Sequence, residues 1–317
     1  MARSGLGDQC RWLHRNGTDV GTASTVLMYR YCFHDRLVTP DKHGRFFAAK
    51  CEEIARDGGA VTVALEVARE APGAGIGLMV AANSGRPGGA VGLTDRVDHS
   101  QVHPNHRTQE EDIMSAWLIG ECSSTAERDA LFRDTIGGLW GLREAGSTDG
   151  ETIQGVDYRA LASPHGYADA WVVRRAVLCR KSQSPPRFYP TDKFVASLVF
   201  VAGPNAGCSG RPTGSTARTL NRRASDERNY EFFRDSVKAA LRAGLDAMIE
   251  ERLTIALVAR ISCGIYAGCH RGRVNADFVT IVNELLLEPL RLVGSSPRAA
   301  PTQRGSFFRR VIVPHLV

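Results

Sequence analysis

The chain has 317 residues, 43% hydrophobic and 23% charged, enough for one large domain or two modest ones around a real core. Aromatic residues are only 7%, which argues against an extended stacking surface for single-stranded nucleic acid. The net charge of +6, with a pI near 9.0, suits an anionic ligand, though ordinary solvated surfaces carry a similar excess.

Residues 24–36 are expected to form a helix, with Val26, Leu27, Tyr29, Tyr31 and Phe33 imperfectly periodic, and residues 1–59 form an N-terminal extension read as mostly helical. After Gly58-Gly59, the three-to-four spacing of Val61, Leu65 and Ala68 predicts an amphipathic helix, ended by Pro72-Gly73. Residues 76–82 are an apolar run bounded by glycines and predict a buried strand. A long Gly/Pro/Asp/His loop follows over 84–108, of a length that is usually functional or disordered. Helices are predicted over 109–122 and 126–142, a strand over 167–179, a Pro/Ser-rich connection over 181–193, and the strongest strand of the chain over 194–202. Residues 207–228 read as a basic loop carrying Arg211, Arg218, Arg222, Arg223 and Arg228, a possible weak contact for nucleic acid. A helix over 230–245 carries a stripe of Phe233, Val237, Leu241 and Leu245; a buried strand over 253–261, a Gly-containing turn over 262–268 and a helix over 274–287 complete the order, before a tail over 291–317. Strands alternating with helices predict an α/β fold.

Eight cysteines are scattered without a Cys-x-x-Cys pair, and the one local cluster, Cys263, Cys269 and His270, lacks further ligands nearby, so free thiols are expected and no metal or cofactor. No run approaches the ~20 apolar residues of a membrane span, and residues 1–17 have no apolar core of signal-peptide length. An intracellular protein, cytoplasmic or nuclear and without membrane contact, is the expectation.

Four short segments carry the chemistry. Residues 83–90, Asn-Ser-Gly-Arg-Pro-Gly-Gly-Ala, follow the apolar strand, at the position where open α/β sheets bind ligands. Gly88 and Gly89 let a backbone approach a phosphate; an ordinary strand-to-helix turn has the same composition. Gln109-Glu110-Glu111-Asp112 places acids in a helical first turn, where the dipole favours them in any protein. Packed against the glycine loop, like charges there are expected to raise at least one carboxyl pKa. Residues 261–268, Ile-Ser-Cys-Gly-Ile-Tyr-Ala-Gly, could cradle a diphosphate with backbone amides, and Tyr266 either meets a ribose or packs in the core. Residues 202–205, Ala-Gly-Pro-Asn, end the strongest strand with Asn205 at a pocket rim or in a plain turn.

The order of these segments resembles the microbial type of the poly(ADP-ribose) glycohydrolase branch of the macrodomain family. That pattern is a helix like VALEVAREAPGAG, a strand and Asn, then Pro-Gly-Gly, Gln-Glu-Glu, a Tyr-containing segment (here YADAWVVRRAVLCRK), a strand ending in Ala-Pro-Asn, and a closing Gly-Cys-Gly with an aromatic two residues on. The resemblance implies a macrodomain-like three-layer α/β/α sandwich with a mixed sheet, its catalytic domain over 60–290. It implies hydrolysis of poly(ADP-ribose) or protein-linked ADP-ribose, or, as the alternative, a non-catalytic ADP-ribose-binding macrodomain. Glu111 would protonate the oxygen leaving the anomeric carbon, and Glu110 would hold ribose hydroxyls. Asn83 would bind the distal ribose. Gly88, Gly89 and Ala90, with Ser262, Cys263, Gly264 and Ile265, would wrap the diphosphate, Tyr266 would orient the ribose, and Gln109 and Asn205 would line the site. An oxocarbenium-like transition state attacked by water, without a metal, follows from that chemistry. The chain departs from the pattern at Ala90, at Ser262, and in the long 91–108 spacer, whose His99, His103 and His106 suit a lid or a substrate-selecting flap.

Overall fold

The structure, a computed structural model, describes residues 11–15, 25–32, 37–38, 46–82, 108–132, 135, 152–153, 156–157, 163–183, 186–207, 220–292 and 302–316. Its strands are β1 (Arg11–Arg15), β2 (Thr25–Cys32), β3 (Leu37–Val38), β4 (Glu52–Arg56), β5 (Ile76–Ala81), β6 (Thr152–Ile153), β7 (Val156–Asp157), β8 (Asp169–Gln183), β9 (Pro186–Val201), β10 (Ile255–Leu257), β11 (Pro289–Leu292), β12 (Thr302–Gln303) and β13 (Arg310–Leu316). Its helices are α1 (Gly59–Glu70), α2 (Gln109–Glu121), α3 (Thr125–Phe132), α4 (Tyr230–Glu250) and α5 (Arg271–Leu287).

Eight strands form one sheet in the order β1-β2-β8-β9-β5-β10-β13-β4. The five from β9 to β4 run parallel, and β8, β2 and β1 add an antiparallel flank. β5 lies inside the parallel part. Its IGLMV is buried throughout, as expected of a strand covered on both faces. A Cβ on Gly77 would strike Met248 of α4, and Gly244 of α4 leaves room for Met79, so the odd-numbered positions of β5 face α4. The β4-α1-β5 crossover moves across the sheet in one direction; β9-α4-β10 and β10-α5-β13 move in the other. Right-handed crossovers therefore put α1 on one face and α4 with α5 on the opposite one, and α2 packs beside α1. This is the three-layer α/β/α arrangement with a mixed sheet that the resemblance implies; the alternation of elements by itself predicts only α/β.

Charged ladders lock the α4–α5 layer. Arg234 reaches Asp277 at 2.6 Å and Glu284 at 2.7 Å, Lys238 reaches Glu284 at 2.8 Å, and Arg242 reaches Glu288 at 2.9 Å. Beneath them Arg304, 1% exposed, meets the fully buried Asp246 at 2.6 Å and donates to the Leu285 carbonyl. Burial works to raise the Glu288 carboxyl, but the Arg242 hydrogen bond and charge, with Lys238 and Arg304, hold it down at about 2.

Three expectations need correction. Residues 25–32 are not helical: TVLMYRYC is rich in β-formers, and antiparallel pairing with β8 supplies the backbone bonds that an imperfect helical period could not predict. Residues 181–193 are not a connection but part of a long β8–β9 hairpin; Pro190 falls in the register shift between the Cys179–Lys193 and Arg180–Tyr189 pairs, where no ladder bond is required of it. The boundaries at 59 and 291 cut across the sheet, since β4 and β13 pair in parallel beyond them. The helix expected over 126–142 is described as α3; of its remainder only Thr135, which donates to the Leu131 carbonyl, is among the described residues.

Candidate active site at the carboxyl edge

β5, β9 and β10 point the same way, so the segments after Ala81, Val201 and Leu257 leave the sheet along one edge; Ala82 N–H donates to the Val201 carbonyl there at 2.9 Å. Ligands of open α/β sheets bind outside such carboxyl ends. Asn83, Gly88, Gly89 and Ala90, with the spacer through residue 107, lie outside the described residues.

The first turn of α2 lies at this same edge. Its far end meets β8 low on the sheet, where Gly120 packs against the backbone of Val177–Cys179 and Glu121 accepts from the Val177 N–H. Its start is pinned by the β8–β9 hairpin, which curls back over α1 and α2. Lys181 forms a buried ion pair with Asp112, and the Lys181 carbonyl accepts from Thr62 Oγ1 in the first turn of α1, just after β4 ends. Glu110, Glu111 and Asp112 are only 4%, 8% and 7% exposed. Thr108 caps the helix: its Oγ1 accepts from Glu111 N–H at 3.3 Å, and the Glu111 carboxylate accepts from Thr108 N–H at 3.4 Å. The Thr-x-x-Glu spacing of that box was readable in the sequence. Gln109 begins the helix, half-buried.

The second wall is residues 261–268 laid over residues 202–207. Ser262 has a left-handed backbone (φ 53°), which glycine would adopt more cheaply, and its hydroxyl compensates by donating to the Pro204 carbonyl at 2.7 Å. That crossing explains Gly203, whose added Cβ would come within 2.3 Å of Ile261 and 2.4 Å of Ser262 Oγ. Ala206 N–H donates to the Tyr266 carbonyl at 2.8 Å. Asn205 is buried and turns inward: its amide oxygen accepts from Gly207 N–H, and its carbonyl accepts from Asn221 N–H. A Cβ on Gly264, by contrast, would meet nothing within 4 Å, and Ile265 beside it is 56% exposed. Cys263 is buried, which pushes its thiol up to about 12 and removes thiolate chemistry from the loop.

The structure thus joins Asn205, Ser262, Cys263, Gly264, Ile265 and Tyr266 in one double-loop wall and sets Gln109, Glu110 and Glu111 on a helix start at the same sheet edge. Lys181, Asn221 and Asn275 were not singled out in the sequence. Asn275 donates to the Cys263 carbonyl at 2.9 Å and so braces the closing loop, and Asn221 donates to Tyr167 Oη. Nothing local marks such residues, because their partners come from distant segments. In the basic loop, Arg211 and Arg218 lie outside the described residues; Arg223 stacks over Phe232 and Arg228 pairs with Asp226. Among the described residues no cluster of His, Cys, Asp or Glu is arranged to hold a metal ion, and no helix is long and apolar enough to cross a membrane.

No protein-family model matches the chain, and no curated protein matches it. Among solved structures it is similar to a point mutant of the poly(ADP-ribose) glycohydrolase from Deinococcus radiodurans in complex with ADP-ribose, at 13% identity and a TM-score of 0.47 over 87% of this chain and 79% of that one. It is also similar to the poly(ADP-ribose) glycohydrolase from Thermomonospora curvata, at 12% identity and a TM-score of 0.46 over 87% of this chain and 73% of that one. Likeness of this degree says nothing about activity, which rests on the residues themselves.

Proposed function

We propose that this chain is an ADP-ribosyl glycohydrolase acting on poly(ADP-ribose) or protein-linked ADP-ribose. The observation that carries the reading is the pair Glu110–Glu111, side by side and nearly buried in the first turn of a helix at the carboxyl edge of the parallel strands. Adjacent carboxyl groups withdrawn from water work against folding, so their presence here favours a chemical use. Glu111 is the general acid that protonates the oxygen leaving the anomeric carbon, and Glu110 holds ribose hydroxyls. Asn83 binds the distal ribose. The diphosphate is wrapped by Gly88, Gly89, Ala90 and the 262–266 turn, whose Gly264 offers backbone without side-chain obstruction. Tyr266 orients the ribose, and Gln109 and Asn205 complete the lining. Water attacks the oxocarbenium-like centre.

One observation favours a second reading, a module that binds ADP-ribose without turnover: the Glu111 carboxylate already serves the helix cap. The two readings separate cleanly. Glu111→Gln preserves a capping-box acceptor, because glutamine suits the same position. Release of ADP-ribose from automodified substrate should fall by roughly 10²–10⁴ in this variant while its melting temperature holds. Equal release by both proteins removes Glu111 from the mechanism, and tight ADP-ribose binding with no turnover by the wild type leaves the binding module.

A further inference from the structure

The closing turn is tied to the protein at both ends and through its carbonyls. At one end Ser262 Oγ donates to the Pro204 carbonyl. At the other, Gly268 (φ 52°) comes so close to Ala206 that an added Cβ would lie 2.4 Å from the Ala206 carbonyl oxygen. Between these ends three carbonyls of the turn are engaged. That of Cys263 accepts from Asn275 Nδ2 at 2.9 Å, that of Gly264 from Ala267 N–H at 3.2 Å, and that of Tyr266 from Ala206 N–H at 2.8 Å.

A trans peptide unit is planar, so its C=O and N–H point in opposite directions. The Cys263 carbonyl is drawn toward α5, and the Gly264 N–H of the same peptide is therefore turned away from that helix. The Gly264 carbonyl is drawn toward Ala267, and the Ile265 N–H is turned away from Ala267 in the same manner. Both amides belong to the part of the turn that stands clear: a Cβ on Gly264 would meet nothing within 4 Å, and Ile265 is exposed. Successive backbone N–H groups presented like this suit phosphate oxygens.

Of the three carbonyl ties, one comes from a side chain. Asn275 sits in the second turn of α5, and its amide nitrogen donates to the Cys263 carbonyl and, at 2.8 Å, to the Arg271 carbonyl one turn back in its own helix. Both partners are acceptors, which fixes the amide nitrogen on this side. The side chain thus links a packed helix to the peptide that carries the Gly264 N–H, and it acts on a ligand through that peptide.

We propose that Asn275 is a positioning residue for ligand binding: by holding the Cys263 carbonyl it aims the Gly264 N–H at a phosphate oxygen of the bound diphosphate. This role rests on the reading of the turn as the diphosphate wrap of an ADP-ribosyl glycohydrolase. It is tested in the full chain with Asn275→Ala. Alanine is the better helix former, so the melting temperature should stay within about 3 °C of the wild type. The Kd for ADP-ribose, measured by calorimetry, should rise about three- to tenfold, as the loss of one orienting hydrogen bond implies. With automodified substrate KM should rise by a similar factor while kcat stays within about twofold, because Glu110 and Glu111 stand on a different element. A purely structural role would instead lower the active fraction, and with it kcat at constant KM. Asn275→Asp is the second variant. It keeps the size of the side chain but turns a carboxylate toward two carbonyls, so binding should weaken at least as much, and the α5 dipole favours an acid this early in the helix. Unchanged ADP-ribose affinity in both variants overturns the role of Asn275 and leaves the glycohydrolase reading standing. A fall in kcat or in melting temperature at constant Kd also overturns it. A wild type that binds no ADP-ribose overturns both.

Discussion

Charge is arranged in two opposite ways in this molecule. Along the α4–α5 layer acids and bases alternate in space, and each rung closes at ion-pair distance, down to Arg304 against Asp246. At the start of α2 three carboxylates stand consecutively in one helical turn, and Lys181 arrives from a distant hairpin to pair with Asp112. The first arrangement matches each acid with a base, and at its buried end, Arg304 against Asp246, the match is what lets charge be buried. The second crowds acids, and it does so at the edge where three parallel strands end. The comparison separates acids that are each matched by a base from neighbouring acids of which one, Asp112, has a lysine brought to it.

The largest expected effect would sharpen the first half of that contrast. Arg304→Met leaves Asp246 buried without its partner and should cost about 3–5 kcal/mol in urea unfolding, while Arg304→Met combined with Asp246→Leu recovers most of it. If the single variant unfolds like wild type, the pair is not holding the C-terminal segment to α4. Lys181→Met applies the same test at the other region. A loss of about 3 kcal/mol is expected, together with reduced activity, because the hairpin no longer anchors the helix that carries Glu110 and Glu111. Unchanged stability would separate the hairpin from the site.

Acid should dissolve the ladder. In the folded chain the Arg242 hydrogen bond and charge, with Lys238 and Arg304, hold the Glu288 carboxyl at about 2, below its ordinary 4.5. Its contribution is therefore present above about pH 4.5 and disappears as pH falls toward 2, amounting to about 3 kcal/mol over that window. Glu288→Gln should flatten that part of the stability–pH curve, and a curve of unchanged shape would assign the acid sensitivity elsewhere. Thr108→Ala removes the cap and should cost about 1 kcal/mol. Activity falling further than that stability loss accounts for would tie the cap to the placement of Glu111. Gly264→Ala adds a methyl that meets no atom within 4 Å, at the exposed face of the closing turn. Its substrate KM should nonetheless rise, and an unchanged KM would take this turn out of the binding surface.

Much of the fold was legible because periodicity is a local property. The helix expected over 109–122 is α2, the stripe from Phe233 to Leu245 lies on α4, and the run from Ile76 is the buried β5. The ladder also left a trace: Arg234, Lys238 and Arg242 recur every four residues along α4, as one charged stripe would require. The hairpin was lost where Pro186 and Pro190 imitate a linker, and β2 where a strand-rich run carried a weak helical period. The site was half legible. The acids and the closing loop announce themselves by residue type, whereas Lys181, Asn221 and Asn275 act through partners that residue type does not name.

By itself, then, the sequence determined the alternation of strands and helices, the placing of acids in a helical first turn, and the glycine-bearing closing turn, because each depends on neighbours a few residues apart. Only the tertiary structure decided that β4 and β13 join the main sheet, that a curled hairpin brings a lysine to Asp112, and that an asparagine of α5 holds the Cys263 carbonyl of the closing turn. Those outcomes depend on which remote backbones pair and which buried charges meet, and such choices are settled by the packing of the whole chain.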